Sequence, residues 1–184
     1  MQELSLHLLD IAQNSVAAGA KLVVLDIAVC CREQALWRIC ISDNGCGMDA
    51  QTVQKAADPF YTSRTTRKVG MGLALFRMAA ELTGGSMQLC SAPGEGTQVT
   101  ALFYPEHIDA VPMGDLAGTF VSLVQTSPDT DFVLHMEQKG KEPFTMDTRK
   151  LRAVLQEVPL TAPQVLRFIY EDIAEQAAVL LYGT

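Results

Sequence analysis

Apolar residues recur at helical spacing at the start of the chain and at strand spacing soon after it. A helix is predicted over residues 3–18, because one stripe of it carries Leu4, Leu8, Ile11, Ser15 and Ala18, and a glycine follows. Two runs rich in valine, leucine and isoleucine, 21–31 and 35–42, flank a short polar turn. They predict a pair of strands.

The pattern continues to residue 104 with two more helices and two more strands. Asp49 can cap a short helix that runs to about residue 57, and an apolar helix follows over 73–83. Strands are predicted over 86–92 and 97–104, on either side of a Pro-Gly-Glu-Gly turn. The order α-β-β-α-loop-α-β-β predicts an α+β fold, a two-layer sandwich in which a mixed or antiparallel sheet carries helices on one face.

A proline-bounded segment, 106–112, predicts a linker between a first domain of residues 1–105 and a small C-terminal unit of residues 113–184. Three helices and a hairpin are predicted there, with helix caps at Asp115, Asp147 and Thr161 and strands over 131–138 and 142–146. An α-β-β-α-α unit of this size is too small to be stable alone, so we expect it to dock on the first domain or on a partner. Its apolar end, Ala178 to Tyr182, predicts either packing within the chain or a dimer contact.

Composition and charge narrow the class of protein. The chain has 184 residues, of which 48% are hydrophobic and 19% charged, as in a globular protein with a core. The net charge of −7 argues against nucleic-acid binding, which relies on basic surface. No apolar run approaches the roughly 18 residues of a membrane span, and the N-terminus lacks the basic region of a secretory signal. Five cysteines without C-x-x-C spacing predict buried reduced thiols rather than a zinc site, so we expect a cytoplasmic protein.

The first candidate for chemistry is Asp43-Asn44-Gly45-Cys46-Gly47, at the end of the strand predicted over 35–42. Glycine permits positive φ and a close approach of the backbone to a ligand, which predicts both for Gly45 and Gly47. A carboxylate held there can accept a hydrogen bond from an exocyclic amine such as that of adenine. The alternative is a plain turn, since hairpins also use Asn-Gly.

Two further stretches could handle phosphate. Asp10 and Asn14 are four residues apart on the first helix, so they could hold a hydrated divalent cation or simply form a solvated face. The segment 60–72, F-Y-T-S-R-T-T-R-K-V-G-M-G, is polar and basic and ends in glycines ahead of a helix, which is typical of an anion site. It could equally be a surface loop. A lid would combine the two, since it is a surface loop that closes over a bound phosphate. It is not a Walker loop, because no G-K-[ST] follows the glycines.

Four of these motifs follow one another in the order in which they occur in a known protein family. D-I-A-Q-N at 10–14, D-N-G-C-G at 43–47, the glycines Gly70 and Gly72, and G-T at 96–97 resemble the four boxes of the GHKL ATP-binding family of DNA gyrase, heat-shock chaperones, histidine kinases and MutL. The helix exit N-S-V-A-A-G-A-K is similar to the MutL branch, and P-F-Y-T-S with G-M-G-L-A-L is similar to the histidine-kinase branch. The resemblance covers residues 1 to about 105 and implies the Bergerat-type fold, with ATP and Mg²⁺ as cofactors.

The resemblance also implies roles for residues. Asn14 would coordinate Mg²⁺, Asp43 would bind the adenine amine with help from Thr97, and backbone amides of 70–72 would meet the phosphates. The implied nucleotide-binding set is Asn14, Asp43, Gly45, Gly47, Met48, Gly70, Gly72, Leu73 and Thr97, to which we add the basic side chains Arg64, Arg67 and Lys68 of the predicted lid.

Asp10 stands where the hydrolysing branches of the family carry a glutamate that orients or deprotonates water. The shorter aspartate leaves slow hydrolysis and phosphotransfer both open. None of His7, His107 and His135 lies in a phosphoacceptor setting, so a kinase activity is expected to act on another protein.

Two functions therefore remain open. The first is a stand-alone ATPase or protein kinase whose output passes through the C-terminal unit or a partner. The second is a catalytically silent nucleotide-sensing module, in which ATP orders the predicted lid and so changes a binding surface. A MutL-like repair clamp is disfavoured by the acidic charge.

Overall fold

The computed structural model describes residues 3–31, 35–56 and 72–183, without the side chain of Cys31. Every helix and strand predicted for these residues is present, close to its predicted bounds. In chain order the elements are α1 (Leu4–Ala17), β1 (Leu22–Cys31), β2 (Ala35–Asp43), α2 (Ala50–Ala56), α3 (Gly72–Leu82), β3 (Ser86–Ala92), β4 (Gly96–Phe103), α4 (Leu116–Thr126), β5 (Asp131–Gln138), β6 (Phe144–Asp147), α5 (Thr148–Leu155), α6 (Pro163–Ala177) and a final π-helical turn (Ala178–Tyr182).

The predicted caps are confirmed at three helices and wrong at one. Asp49, Asp115 and Asp147 each accept a hydrogen bond from a backbone N–H in the first turn of the following helix, at 2.7–3.0 Å. The last helix has Ala162 rather than Thr161 at its N-cap, without a side-chain hydrogen bond. It begins instead with Pro163, whose fixed φ suits the first turn and which has no N–H to be capped.

Six strands form one mixed sheet in the order β3-β4-β2-β1-β5-β6. β1 and β5 run parallel, from Leu22 opposite Asp131 to Val29 opposite Gln138, and the other neighbours are antiparallel. The mixed alternative of the predicted α+β fold is therefore the correct one.

The C-terminal residues complete the sheet and the core of the first half. One cluster of buried side chains includes Leu8 on α1, Phe76 on α3, Phe120 on α4, Phe132 on β5 and Ile173 on α6. The predicted linker at 106–112 falls in a connection without helix or strand, while the sheet and core continue across it.

The end of the chain packs within the chain. Leu180 and Leu181 in the final turn are buried in the same core, and Tyr182 meets the ring of Trp37 edge-on at 6.4 Å. Of the two alternatives for 178–182, packing within the chain is thus the one observed. No helix among the described residues is both long and apolar enough to span a membrane.

The cysteines differ from expectation in burial. Cys40 is buried, Cys30 is half-buried, and Cys46 and Cys90 are exposed; all four are free thiols. The prediction of buried thiols is wrong for the last two, because Cys46 lies in a loop and Cys90 on the edge strand β3. The described residues contain no cluster of three metal-ligating side chains.

His7 lies inside the core rather than at the surface. Its side chain is 2% exposed, its ring centroid lies 5.7 Å from that of Phe76, and its Nδ1 has no hydrogen-bond partner among the described residues. Burial lowers the pKa of His7 from 6.5 to about 4. The imidazole is therefore neutral at pH 7 and acts as a core side chain.

Candidate functional site

A cavity of about 240 Å³ lies between α1 and the adjoining ends of β2 and β4. Among the described residues its walls are largely apolar, from Ile11, Ile41, Leu73 and Val99, and the polar lining side chains are Asn14, Ser15, Asp43 and Thr97. Apolar walls with a small number of placed polar groups are typical of pockets for small organic ligands.

Asp43 ends β2 and is held by two hydrogen bonds. The hydroxyl of Ser15 donates to Oδ2 at 2.6 Å, and the N–H of Gly45 donates to Oδ1 at 2.8 Å. These contacts fix the plane of the carboxylate while leaving lone pairs on both oxygens. The sequence pattern identified Ser15 only as part of a buried stripe; its role in the site comes from its position on the α1 face that packs beside β2.

The loop after Asp43 is held against the turn between α1 and β1. The side chain of Asn44 accepts from the backbone N–H groups of Lys21 and Leu22 at 2.8 and 2.9 Å, and the N–H of Cys46 donates to the carbonyl of Ala18 at 3.0 Å. The loop leads from β2 into α2 and does not join two paired strands, which excludes the plain hairpin turn.

The two glycines of this loop have different roles. Gly47 has a φ of +66°, and a Cβ there would lie 1.9 Å from the carbonyl oxygen of Ala92, so only glycine fits. The predicted positive φ is wrong for Gly45. Its constraint is contact, since a Cβ would lie 3.0 Å from Asp43 Oδ1 and 3.1 Å from the carbonyl oxygen of Ala18.

Thr97 lies directly opposite Asp43 across the β2–β4 ladder. Its hydroxyl is 3.0 Å from that of Ser91 on β3, and Ser91 also contacts the N–H of Met48 at 2.8 Å and the carbonyl of Gly96 at 2.7 Å. Ser91 thus ties the glycine loop to the β3–β4 hairpin. Nothing in the local pattern of the strand predicted over 86–92 indicated this serine as a site residue.

Asp10 and Asn14 lie one turn apart on α1, as predicted, but their surroundings differ. Asn14 lines the cavity. Asp10 lies against the start of α3, where a Cβ on Gly72 would be 1.7 Å from Asp10 Oδ2. Glycine at residue 72 therefore lets the helix start and the carboxylate approach each other. The predicted lid residues Arg64, Arg67, Lys68 and Gly70 lie outside the described residues.

A family model described as histidine kinase-, DNA gyrase B-, and HSP90-like ATPase matches residues 1–108. The chain belongs to this family. The resemblance drawn from the four boxes is confirmed, and with it the ATP-binding fold of histidine-kinase-like ATPases.

Similar proteins include several sensor kinases. The chain is 30% identical over 102 residues to the signal transduction histidine-protein kinase AtoS of Escherichia coli (55% of this chain, 16% of that protein). It is 36% identical over 94 residues to the sensor protein kinase FleS of Pseudomonas aeruginosa (51% and 23%) and 30% identical over 93 residues to the sensor histidine kinase ZraS of Klebsiella oxytoca (50% and 20%). The chain spans less than a quarter of the length of each of these relatives.

A solved structure titled as the N-terminal domain of a DNA repair protein shares the fold. The match has a TM-score of 0.53 at 13% identity and covers 80% of this chain and 53% of that one. This likeness extends beyond the residues matched by the family model, but at this identity it concerns the fold alone.

Proposed function

We propose that the protein is a Mg²⁺-dependent, stand-alone ATPase or protein kinase, which acts in the cytoplasm and transfers the γ-phosphate of ATP to water or to a side chain of another protein. The observation that carries this proposal is the pair on α1, with Asn14 in the cavity wall and the Asp10 carboxylate at the start of α3. The amide proposed to bind the metal and the carboxylate proposed as base lie one turn apart on α1, and Asp10 lies beside Gly72, in the segment that the resemblance assigns to the phosphates.

The base of ATP would occupy the inner part of the cavity. Asp43 and Thr97, paired across β2 and β4, would bind the adenine amine, and Ile11, Ile41 and Val99 would contact the flat faces of the ring. Met48, Gly47 and Leu73 also border this space. Apart from the polar side chains of Asn14, Ser15, Asp43 and Thr97, the described lining is largely apolar, which suits a flat heterocycle with one polar edge.

The donor set fits Mg²⁺ held mostly by the nucleotide. Mg²⁺ keeps several waters and commonly binds through one or two protein oxygens and substrate phosphates. The Asn14 side-chain oxygen can supply one such ligand from the cavity wall. When bound, the ion would neutralise phosphate charge during transfer.

Asp10 would accept the proton of the attacking water or hydroxyl group. A carboxylate performs this task only within hydrogen-bond reach of the nucleophile. The Asp10 carboxylate lies against Gly72 at the α3 N-terminus, which the resemblance assigns to phosphate binding.

The test follows the label from γ-labelled ATP in the presence of Mg²⁺, for the wild type, Asp10→Asn and Asn14→Ala. We expect labelled phosphate or labelled protein from the wild type, and a fall of about 100-fold or more in Asp10→Asn, the usual contribution of a general base. Asn14→Ala should also lose turnover, and a higher concentration of Mg²⁺ should partly restore it. Turnover that is the same in Asp10→Asn would contradict the role of Asp10.

A nucleotide sensor without turnover is the second candidate. It is favoured by the position of Asp10, which does not line the described part of the cavity, and by the short reach of aspartate. In this case ATP binds tightly and no phosphate moves, and the output is a change of surface recognised by a protein partner. Tight binding with only trace turnover, unaltered in Asp10→Asn, would support the sensor.

A further inference from the structure

The single proton of the Ser91 hydroxyl has two possible acceptors among the groups that contact it, the carbonyl oxygen of Gly96 at 2.7 Å and the hydroxyl oxygen of Thr97 at 3.0 Å. The carbonyl oxygen of Gly96, at 2.7 Å, can only accept a hydrogen bond, and the N–H of Met48, at 2.8 Å, can only donate one. Ser91 accepts from Met48 and donates to Gly96, because this contact is shorter than that to Thr97 and the Thr97 hydroxyl has a proton of its own to donate.

The direction of the next hydrogen bond follows. A hydroxyl has a single proton, and that of Ser91 is already committed. Either hydroxyl could donate in the 3.0 Å contact between them, and with the Ser91 proton on Gly96 it is Thr97 that donates and Ser91 that accepts. The Thr97 oxygen is left with lone pairs and without a proton for the cavity.

The carboxylate of Asp43, opposite Thr97, can likewise only accept hydrogen bonds. Its two oxygens accept from Ser15 and Gly45, and a carboxylate has no proton of its own to offer. Asp43 and Thr97 are direct partners in the β2–β4 register and both line the cavity. A ligand group placed between them must donate hydrogen bonds, and an accepting oxygen would face two acceptors.

We propose that Ser91 is a positioning residue that fixes the Thr97 hydroxyl as an acceptor and thereby selects 6-amino purines over 6-oxo purines. This inference rests on the proposed assignment of the cavity to the base of ATP. Adenine carries an amine at C6, whereas hypoxanthine and guanine carry an oxygen there. Without Ser91 the Thr97 hydroxyl is free to rotate and donate to that oxygen.

The experiment measures the dissociation constants of ATP and inosine triphosphate, with Mg²⁺, for the full chain and for Ser91→Ala. Inosine triphosphate has the 6-oxo base and the same ribose and phosphates. We expect the wild type to prefer ATP, and Ser91→Ala to reduce this preference by about tenfold, the scale of one mispaired buried hydrogen bond. Most of the change should be tighter binding of inosine triphosphate. Ser86→Ala, at the other end of β3, is the matched control and should keep the wild-type ratio.

A double-mutant cycle separates positioning from general support of the fold. If Ser91 acts through Thr97, then Ser91→Ala changes the ratio in the wild type and leaves it unchanged in a Thr97→Val background. Equal weakening of both nucleotides by Ser91→Ala, or an equal change of ratio in the Thr97→Val background, would overturn the proposal.

The remaining outcomes are also decisive. Should Ser91→Ala not fold, Ser91→Cys keeps the shape with a weaker acceptor and is expected to give an intermediate ratio. A wild type that binds ATP and inosine triphosphate equally would overturn the selection by Ser91 but leave ATP binding intact. A wild type that binds neither nucleotide would overturn the proposed function itself.

Discussion

His7 shows at the scale of one residue how the core restricts the protonation state of a side chain. It lies beside Phe76 on α3 with Nδ1 unpartnered, so a proton gained there would place an uncompensated charge among apolar groups. The imidazole contributes packing, and its burial makes the free energy of unfolding depend on pH.

We predict that acid destabilises the wild type more than His7→Leu. The pKa of His7 falls from 6.5 to about 4 on folding, so the unfolded chain binds the proton first. Stability from this residue is complete above pH 6.5 and declines as the pH falls towards 4, by about 3 kcal/mol in all. Urea unfolding of both proteins at pH 7.5, 5.5 and 4.5 measures the difference, which should change steadily in favour of the variant. A difference in the free energy of unfolding that is the same at all three pH values would contradict a buried, neutral His7.

Some residues of the candidate site could be predicted from the sequence, and others could be identified only from their contacts in the folded structure. Asp43, Gly47 and Thr97 belong to short motifs whose residue types indicate their chemistry. Ser15 and Ser91 do not, because the role of a serine hydroxyl depends on its hydrogen-bond partner. Asp43, the partner of Ser15, is 28 residues away, and Met48, a partner of Ser91, is 43 residues away. The direction of the Thr97 hydrogen bond likewise depends on three contacts of Ser91, with the N–H of Met48, the carbonyl of Gly96 and the Thr97 hydroxyl, rather than on a motif.

At the scale of elements, the turn between α1 and β1 joins the C-terminal residues to the glycine loop. On one side Asn44 and Cys46 hold this turn by hydrogen bonds to Lys21, Leu22 and Ala18. On the other side the Thr130 hydroxyl donates to the carbonyl of Ala20 at 3.2 Å. The segment before β5 therefore supports the glycine loop that borders the cavity.

We predict that Thr130→Val weakens ATP binding by about threefold and costs about 1 kcal/mol of stability, because a buried carbonyl of this turn loses its partner. The matched control is Thr119→Val. Its buried hydroxyl donates at the same 3.2 Å to the carbonyl of Ser5, at the far end of α1. It should cost similar stability and leave the ATP dissociation constant unchanged. Calorimetric titration and urea unfolding of both variants make the comparison, and equal ATP affinity in the two would contradict a link between the turn and the pocket.

The elements themselves were largely predictable, and their long-range pairing was not. Period-two and helical patterns, with aspartates before three helices, gave the element order and the β5–β6 hairpin. The parallel pairing of β1 with β5 joins segments about 100 residues apart and has no local turn to indicate it. The start of α6 was misplaced because proline, rather than a capping threonine, begins that helix.

At the scale of the whole molecule, the ATP-binding half and the C-terminal residues form one sheet and one core. Val23, Leu25 and Ile27 of β1 are fully buried, between β2 of the ATP-binding half and β5 of the C-terminal residues. A nucleotide bound at the end of β2 would therefore be separated from β5 by a single strand, β1. This continuity gives the proposed output through the C-terminal residues a physical route.

The central claim is that ATP binds in the cavity at the end of β2 with its base on Asp43. Calorimetric titration of ATP with Mg²⁺ into the wild type and Asp43→Asn tests it most directly, with Asp26→Asn as control. Asp26 pairs with Arg38 at 2.9 Å on the opposite face of the sheet, away from the cavity. We predict saturable binding by the wild type and Asp26→Asn, and at least about tenfold weaker binding by Asp43→Asn, because a charged acceptor is lost. Equal affinity in the wild type and Asp43→Asn, or no binding by the wild type, would contradict the account.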